Sequence, residues 1–174
     1  AEMLSSITQP QLERYYKLRY DRACKHSDSA VTLSFDSTSI STYSNTINAA
    51  AWGHAKQNPE LRQVNYMTVC DHATGDVVFA CSYDGSINDQ TILPEIYLRM
   101  KFAGLDLTNN ILVTDRGFQS IYNTQTAINL NLKYIQFLSL KEGAVKAHLQ
   151  RHKQALCDSI AHKDPVLGIS AIAV

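Results

Sequence analysis

The spacing of hydrophobic and polar residues divides the chain into predicted strands and helices. Residues 9–26 carry apolar side chains at helical spacing among Arg and Lys, which predicts a leading helix. Residues 31–36 alternate β-branched or aromatic residues with polar ones, which predicts a first strand that ends at Asp36. Residues 37–62 have no sustained period, so we expect a long loop there with at most one helical turn. Loops of this length are commonly functional.

Two apolar runs follow, separated by a four-residue loop: 64–71 and 76–83. This spacing predicts an antiparallel hairpin in which Gly75 supplies the positive φ of the loop. In the simplest register Cys81 faces Tyr66 and not Cys70, so we expect no disulfide across the hairpin.

The second half of the chain alternates helical and extended patterns. The predicted elements are a helix over 89–102, a strand over 111–114, a helix over 120–132, a strand over 133–140 and a helix from 142 to about 162. Asp89 is expected to cap the first of these helices, and the next helix is expected to bury a face that includes Ile121 and Ile128. Three consecutive strands followed by this alternation indicate an α/β fold, a ribonuclease-H-like mixed five-stranded sheet with helices on both faces.

Composition narrows the class of protein. Of the 174 residues 45% are hydrophobic and 18% are charged, which is typical of a globular domain. Sixteen Lys and Arg balance sixteen Asp and Glu, so any contact with nucleic acid is expected to be local. Four cysteines without C-x-x-C spacing, no signal peptide and no long apolar run predict a soluble cytoplasmic protein without a membrane partner.

Two aspartates are the first candidates for chemistry. Asp36 follows the first predicted strand and Asp115 follows the fourth, and these strands are neighbours in a ribonuclease-H-like sheet. Two converging carboxylates repel each other unless a cation holds both ionised. A hard divalent cation suits this donor set, and a pair of such ions supports cleavage or transfer of phosphodiesters. Either aspartate alone could instead cap a turn.

Five ordered segments resemble the catalytic domain of DDE transposases of bacterial insertion sequences. They lie within 31–141 and are Phe35–Thr38, Trp52–Val64, the hairpin, Gly85–Asp89 and Val113–Phe118. The resemblance implies that Asp36 and Asp115 are the first two members of the Asp-Asp-Glu triad. Asp36 would bridge two Mg²⁺ or Mn²⁺ ions in the complete enzyme, and Asp115 would bind one of them.

The resemblance also implies a partner and a domain organisation. DNA would be the partner, as transposon ends and target, and the full-length protein would form a homodimer in its synaptic complex. On this interpretation residues 1–30 are a leading helix, 31–165 the ribonuclease-H-like catalytic core, and 166–174 the start of a following segment that the chain truncates.

The third acid of the triad is not evident. In the family a glutamate lies on a helix well beyond the fifth strand, within a Tyr, Arg, Glu, Lys signature, and no such signature follows Leu140. Glu142 is the nearest candidate, but it also suits the first turn of a helix. We therefore expect the third carboxylate to lie outside this chain and the 174-residue chain to be inactive alone.

The remaining candidates would contact DNA or orient the site, and each has a structural alternative. Asp89 could orient a ligand or a DNA strand or cap its helix, and Arg116 could contact the scissile phosphate or brace its loop through a salt bridge. The long loop has a local positive balance around an aromatic side chain, which suits phosphate contact and base stacking. Its residues are Trp52, His54, Lys56 and Arg62. Trp52 could equally anchor the loop to the core.

Two other functions remain open from the sequence. A phosphohydrolase could use Asp36 as a nucleophile, but such enzymes need a second acid two residues later, where Thr38 stands. A degenerate ribonuclease-H-like interaction module without activity would fit both the neutral charge and the missing glutamate.

Overall fold

A computed structural model describes residues 6–27, 30–54, 58–139 and 143–158 of the chain, with side chains up to residue 154. The chain divides into two compact units, residues 1–137 and 138–174, which are described separately. The first unit contains the sheet and both aspartates at the candidate site.

The described residues of the first unit form five strands and three α-helices. In chain order they are α1 (Gln9–Lys25), β1 (Thr32–Thr42), β2 (Arg62–Asp71), β3 (Val77–Asp84), α2 (Asp89–Phe102), β4 (Ile111–Thr114), a 3₁₀ turn (Arg116–Phe118), α3 (Ile121–Asn129) and β5 (Lys133–Gln136). The strand order in the sheet is β3-β2-β1-β4-β5. β1, β2 and β3 pair antiparallel, whereas β4 and β5 run parallel to β1. The predicted fold class, a mixed five-stranded ribonuclease-H-like sheet, is confirmed.

The first strand is longer than its sequence pattern predicts. β1 continues through Thr42, and its second half pairs with Arg62–Met67 of β2, so Asp36 lies inside the strand and not at its end. The prediction failed because Ser37 to Thr42 are mostly hydroxylated and carry little hydrophobic signal. Their burial nevertheless alternates as in a strand: Ser37 and Ser39 are buried and their neighbours are exposed.

The hairpin is present, with Gly75 at φ 74°, but its register differs from the simple prediction. Cys70 pairs with Val77, whereas Cys81 pairs with Met67 and not, as predicted, with Tyr66. An irregularity between Val69 and Cys70 inserts one residue into β3 and shifts all later pairs. Cys24, Cys70 and Cys81 are free thiols, and the observed register does not place Cys81 opposite Cys70.

One face of the sheet and two helices form the hydrophobic core. Leu33 and Phe35 of β1 are buried, and Phe35 packs edge-on against Tyr97 of α2 with ring centroids 5.8 Å apart. Tyr16 of α1 packs on Phe79 of β3 at 4.9 Å. The helices α1 and α2 thus cover neighbouring parts of one sheet face. The polar start of α2 lies beside the middle of β1.

Two helix predictions were wrong in detail. Asn88, and not Asp89, caps α2, because the Asn88 side chain accepts the N–H of Thr91. In α3 the buried side chains are Asn123 and Ala127, whereas Ile121 and Ile128 are exposed. The Asn123 amide donates to the Phe118 carbonyl at 2.8 Å, and this bond sets which face of α3 turns inward.

The described part of the second unit is one helix, α4 (Gly143–Asp158). None of the helices in the described residues is long and apolar enough to cross a membrane. Glu142 and the predicted boundary at residue 165 lie outside the described residues.

Candidate active site

Asp36 and Asp115 lie side by side on neighbouring parallel strands. Phe35 of β1 pairs with Thr114 of β4, and each aspartate is the next residue along its strand. Asp115 has an extended backbone, with φ −77° and ψ 176°, so it continues the alternation of β4. Side chains alternate between the faces of a sheet, so both aspartates project to the face opposite Phe35 and Thr114. Both are exposed.

A backbone N–H group holds one oxygen of each carboxylate. Asp36 Oδ1 accepts the N–H of Ser37 at 2.8 Å, and Asp115 Oδ1 accepts the N–H of Gly117 as the cap of the 3₁₀ turn. Among the described residues, neither Asp36 Oδ2 nor Asp115 Oδ2 accepts a hydrogen bond. Asp115 thus serves as a turn cap and still presents a carboxylate oxygen to solvent.

A third aspartate, Asp89, lies in the first turn of α2 and binds two strands at once. One oxygen accepts the Ser37 hydroxyl and the other accepts the Tyr83 hydroxyl, each at 2.6 Å. Burial, followed by the bond to Asp89, raises the pKa of Tyr83, so the phenol remains a donor at neutral pH. Asp89 therefore connects α2 to β1 and β3.

Gly117 allows the turn after β4 to lie close to the carboxylates of Asp115 and Asp89. A Cβ on Gly117 would stand 2.9 Å from Asp115 Oδ1 and 3.7 Å from Asp89 Oδ2. The Gln90 amide also donates to the Gln119 carbonyl at 2.7 Å, which ties the start of α2 to the end of this turn. The Asp-Arg-Gly segment is therefore packed directly against α2.

Three of the residues predicted to contact DNA are exposed. Arg116 forms no ion pair with any described residue, so the salt-bridge alternative for it is not observed. Trp52 is 63% exposed, which is inconsistent with an anchoring role in the core. His54 is exposed beside it. All three side chains are accessible to a ligand.

The two other predicted DNA contacts differ from these. Both hydrogen bonds of Arg62 come from Nη2, at 2.9 Å to the Ser44 carbonyl and 2.7 Å to Asn45 Oδ1, so this guanidinium braces the loop after β1. Lys56 and Glu142 lie outside the described residues.

A polar cavity of about 150 Å³ adjoins Ser37, and the sequence pattern did not predict it. Gln63 and Asn65 of β2 form part of its wall, and both are buried. Their amides donate to the carbonyls of residues 84, 85 and 87, which fixes the loop between β3 and α2. These polar residues were missed because buried amides in a strand look like ordinary surface positions in a sequence.

The donor set fits one hard divalent cation. Mg²⁺ is commonly bound through one or two carboxylates, with waters and substrate phosphates in the remaining positions. Asp36 and Asp115 offer such a pair on one sheet face. Within the described ranges no group of three or more His, Cys, Asp or Glu side chains is placed to hold a metal.

Comparisons with known proteins identify no family but find similar solved structures. No protein-family model matches the chain, and no curated protein sequence matches it. A piggyBac transposase synaptic complex with hairpin DNA superposes with a TM-score of 0.47 at 12% identity, over 80% of this chain and 30% of that one. A Mos1 transposase paired-end complex gives 0.43 at 13% identity, over 91% of this chain and 57% of that one.

A third similar structure is endonuclease V of Ciona intestinalis bound to inosine-containing DNA, with a TM-score of 0.34, 14% identity and 86% of this chain covered. The chain spans 30% and 57% of the length of the two transposases. The fold assignment depends on the strand order and directions of the sheet itself.

Proposed function

We propose that this chain is a catalytic-core segment of a DDE-type DNA transposase, which cleaves DNA and joins DNA strands. The observation that carries the proposal is the juxtaposition of Asp36 and Asp115 on neighbouring parallel strands of a ribonuclease-H-like sheet. The ordered motifs that resemble insertion-sequence transposases support the same assignment. Transposon ends and target DNA would be the substrate, and a homodimer the assembled form.

Asp36 and Asp115 would hold the divalent cation, Mg²⁺ or Mn²⁺. A cation held there would supply Lewis-acid chemistry at a phosphodiester, and stabilising both the attacking and the leaving oxygen would need the second ion of the complete enzyme. The protein orients the two carboxylates beforehand through the N–H groups of Ser37 and Gly117. This preorganisation lowers the cost of bringing two like charges together when the cation binds.

Exposed cationic and aromatic groups would position DNA. The Arg116 guanidinium directly follows Asp115 and, free of ion pairs with described residues, suits a charge-assisted bond to a phosphate. Trp52 offers a ring for base stacking. Because the net charge is +0, we expect binding to be weak, salt-sensitive and independent of sequence.

The test measures DNA binding with and without Mn²⁺ by fluorescence anisotropy on a short duplex. The wild-type chain should bind more tightly when Mn²⁺ is present. Asp36→Asn should abolish that gain, and because it removes a negative charge it should bind metal-free DNA at least as tightly as wild type does. Arg116→Ala should weaken binding in both conditions. An equal gain from Mn²⁺ in wild type and in Asp36→Asn would contradict the proposal.

Plasmid nicking in Mg²⁺ or Mn²⁺ then tests whether the chain is complete. With two carboxylates available, the second ion lacks a charged ligand, so we expect no nicking by the 174-residue chain. Nicking that both Asp36→Asn and Glu142→Gln abolish would identify Glu142 as the third ligand. Nicking that survives Asp36→Asn would argue against a DDE mechanism.

A ribonuclease-H-like interaction module without activity is the second candidate. One observation favours it: the described residues provide two converging acids and no third. On this alternative the chain would bind neither Mn²⁺ at Asp36 nor DNA in a metal-dependent way, so the anisotropy experiment separates the two functions.

A further inference from the structure

The first turn of α2 contacts the neighbours of both candidate metal ligands. Asp89 accepts the hydroxyl of Ser37, the residue after Asp36, at 2.6 Å. Gln90 donates at 2.7 Å to the carbonyl of Gln119, at the end of the turn that Asp115 caps. One helical turn is thus bonded to β1 and to the end of the turn that follows β4.

We propose that Asp89 and Gln90 are positioning residues that set the spacing and orientation of Asp36 and Asp115. The inference rests on the proposed function, because it gives these two residues a task in metal binding. Neither residue needs to touch the metal: Asp89 acts through Ser37 and through the close packing at Gly117, and Gln90 acts through Gln119.

The anchoring of Asp89 makes it suitable for this task. Its second oxygen accepts the Tyr83 hydroxyl at 2.6 Å, and Tyr83 is buried in β3. The carboxylate is therefore held from two sides and has little rotational freedom. Its Oδ2 also lies 3.7 Å from the point that a Cβ on Gly117 would occupy, so this fixed carboxylate borders the turn that Asp115 caps. A shift of the Asp89 side chain would therefore alter the surroundings of Ser37 and of Gly117 at the same time.

A carboxylate is specifically required at position 89. Two hydroxyl donors converge on it, and a carboxylate accepts both without rearrangement. Asn has one acceptor oxygen and one donor group, so in Asp89→Asn either Ser37 or Tyr83 must reverse its hydroxyl. The fold is retained, because hydroxyls also accept, but one of the two constraints changes and the negative charge is lost.

The experiment uses the 174-residue chain and two readouts. The first is Mn²⁺ affinity, measured by electron paramagnetic resonance titration. Removing a group that orients metal ligands typically costs about 10–100-fold in affinity, and we expect a loss in that range for Asp89→Asn. Gln90→Ala should give a smaller loss, because its bond is neutral. Asp89→Glu should recover less than wild-type affinity, because its longer side chain displaces Ser37.

The second readout needs no metal. Amide hydrogen exchange at Gly117 reports whether its N–H stays bonded to Asp115. Without metal, exchange at Gly117 should be faster in both Asp89→Asn and Gln90→Ala. Unchanged exchange at Gly117 in both variants would overturn the proposal, whatever the metal data show.

Asp71→Asn is the matched control. Asp71 is also an aspartate whose two oxygens each accept one bond, from the Ala73 N–H at 3.1 Å and the Thr74 hydroxyl at 2.9 Å, but it lies at the hairpin loop. It should lose stability without any change in Mn²⁺ affinity or Gly117 exchange. If Asp71→Asn changes both readouts as much as Asp89→Asn does, the effect is general loosening and the proposal is wrong.

The two proposals fail in different ways. If Mn²⁺ affinity is the same in wild type, Asp36→Asn and Asp115→Asn, the proposed function fails, and Gly117 exchange still decides whether the α2 turn positions the pair. If both aspartate variants lose Mn²⁺ but Asp89→Asn binds it as wild type does, the positioning role fails and the proposed function stands.

Discussion

Replacing Gly117 by Ala should disturb the candidate metal site while leaving the fold almost unchanged. The added methyl group would stand 2.9 Å from Asp115 Oδ1, which is inside van der Waals contact, and 3.7 Å from Asp89 Oδ2, which is an ordinary contact. The Asp115 carboxylate must therefore rotate away, and it loses the bond from the Gly117 N–H. Asp89 has no need to move.

Two opposing terms determine the stability of this variant. Loss of a capping bond costs about 1 kcal/mol. Replacing Gly by Ala at a position without positive φ returns about 0.4–1 kcal/mol, because the unfolded chain loses freedom. The free energy of unfolding should thus change by less than about 1 kcal/mol. Mn²⁺ affinity, in contrast, should fall by about tenfold, because an orienting bond to a metal ligand is lost.

The assay combines urea unfolding followed by far-ultraviolet circular dichroism with Mn²⁺ titration. Gly143→Ala is the control, since no atom of the described residues beyond its chain neighbours lies within 4 Å of its added methyl group, and it should match wild type in Mn²⁺ affinity. If Gly117→Ala binds Mn²⁺ as wild type does, the bond between Asp115 and the turn has no role in orienting the ligand. A stability loss well above 2 kcal/mol would show that the carboxylate is not free to rotate.

Three further predictions concern stability. Gly85→Ala should lower the free energy of unfolding by about 3 kcal/mol or more, because its Cβ would stand 2.0 Å from the Gln63 backbone carbonyl. Gly75→Asn, at a loop position with open space among the described residues, should cost little stability. Equal losses of stability in the two variants would contradict this prediction. Tyr97→Phe should leave stability unchanged or raise it by about 1 kcal/mol, since the buried Tyr97 hydroxyl has no partner among the described residues. A loss of stability above about 1 kcal/mol in urea unfolding would disprove this prediction. Burial raises the pKa of Tyr16 to about 12, so its contribution to stability is complete below pH 10 and is lost as pH rises toward 12. Tyr16→Phe should therefore make the free energy of unfolding depend less on pH between 10 and 12. The same pH dependence in wild type and variant would refute the raised pKa.

The topology of the fold was accessible from the sequence because its signals are local. The strand β4 and the helix α2 have strong hydrophobic patterns and clear ends, and they were found at Ile111–Thr114 and Asp89–Phe102. The order of elements then placed the strands of Asp36 and Asp115 next to each other. That placement follows from chain connectivity and needs no knowledge of side-chain contacts.

The details that the sequence did not reveal depend on tertiary contacts. The second half of β1 is a strand because it pairs with β2, although its hydroxylated residues carry no clear pattern. The face that α3 buries is set by the bond between Asn123 and the Phe118 carbonyl, which hydrophobic periodicity does not register.

The connections of Asp89 were hidden for the same reason. Its partners Ser37 and Tyr83 are 52 and 6 residues away in the chain. An acid at the start of a helix is an ordinary feature of a sequence, and only the tertiary structure shows that two hydroxyls converge on it. The signal available beforehand was the Gly85–Asp89 motif, which marked the segment without indicating its contacts.

The central claim is that Asp36 and Asp115 bind one divalent cation together, and a Mn²⁺ titration of four proteins tests it most directly. We expect wild type to bind one ion weakly, with a dissociation constant on the order of 1 mM, as is typical of sites with few charged ligands. Asp36→Asn and Asp115→Asn should each lose most of that affinity, and the double variant should lose little more, because the two residues serve one site. Wild-type affinity in both single variants, or losses that simply add in the double variant, would contradict the account.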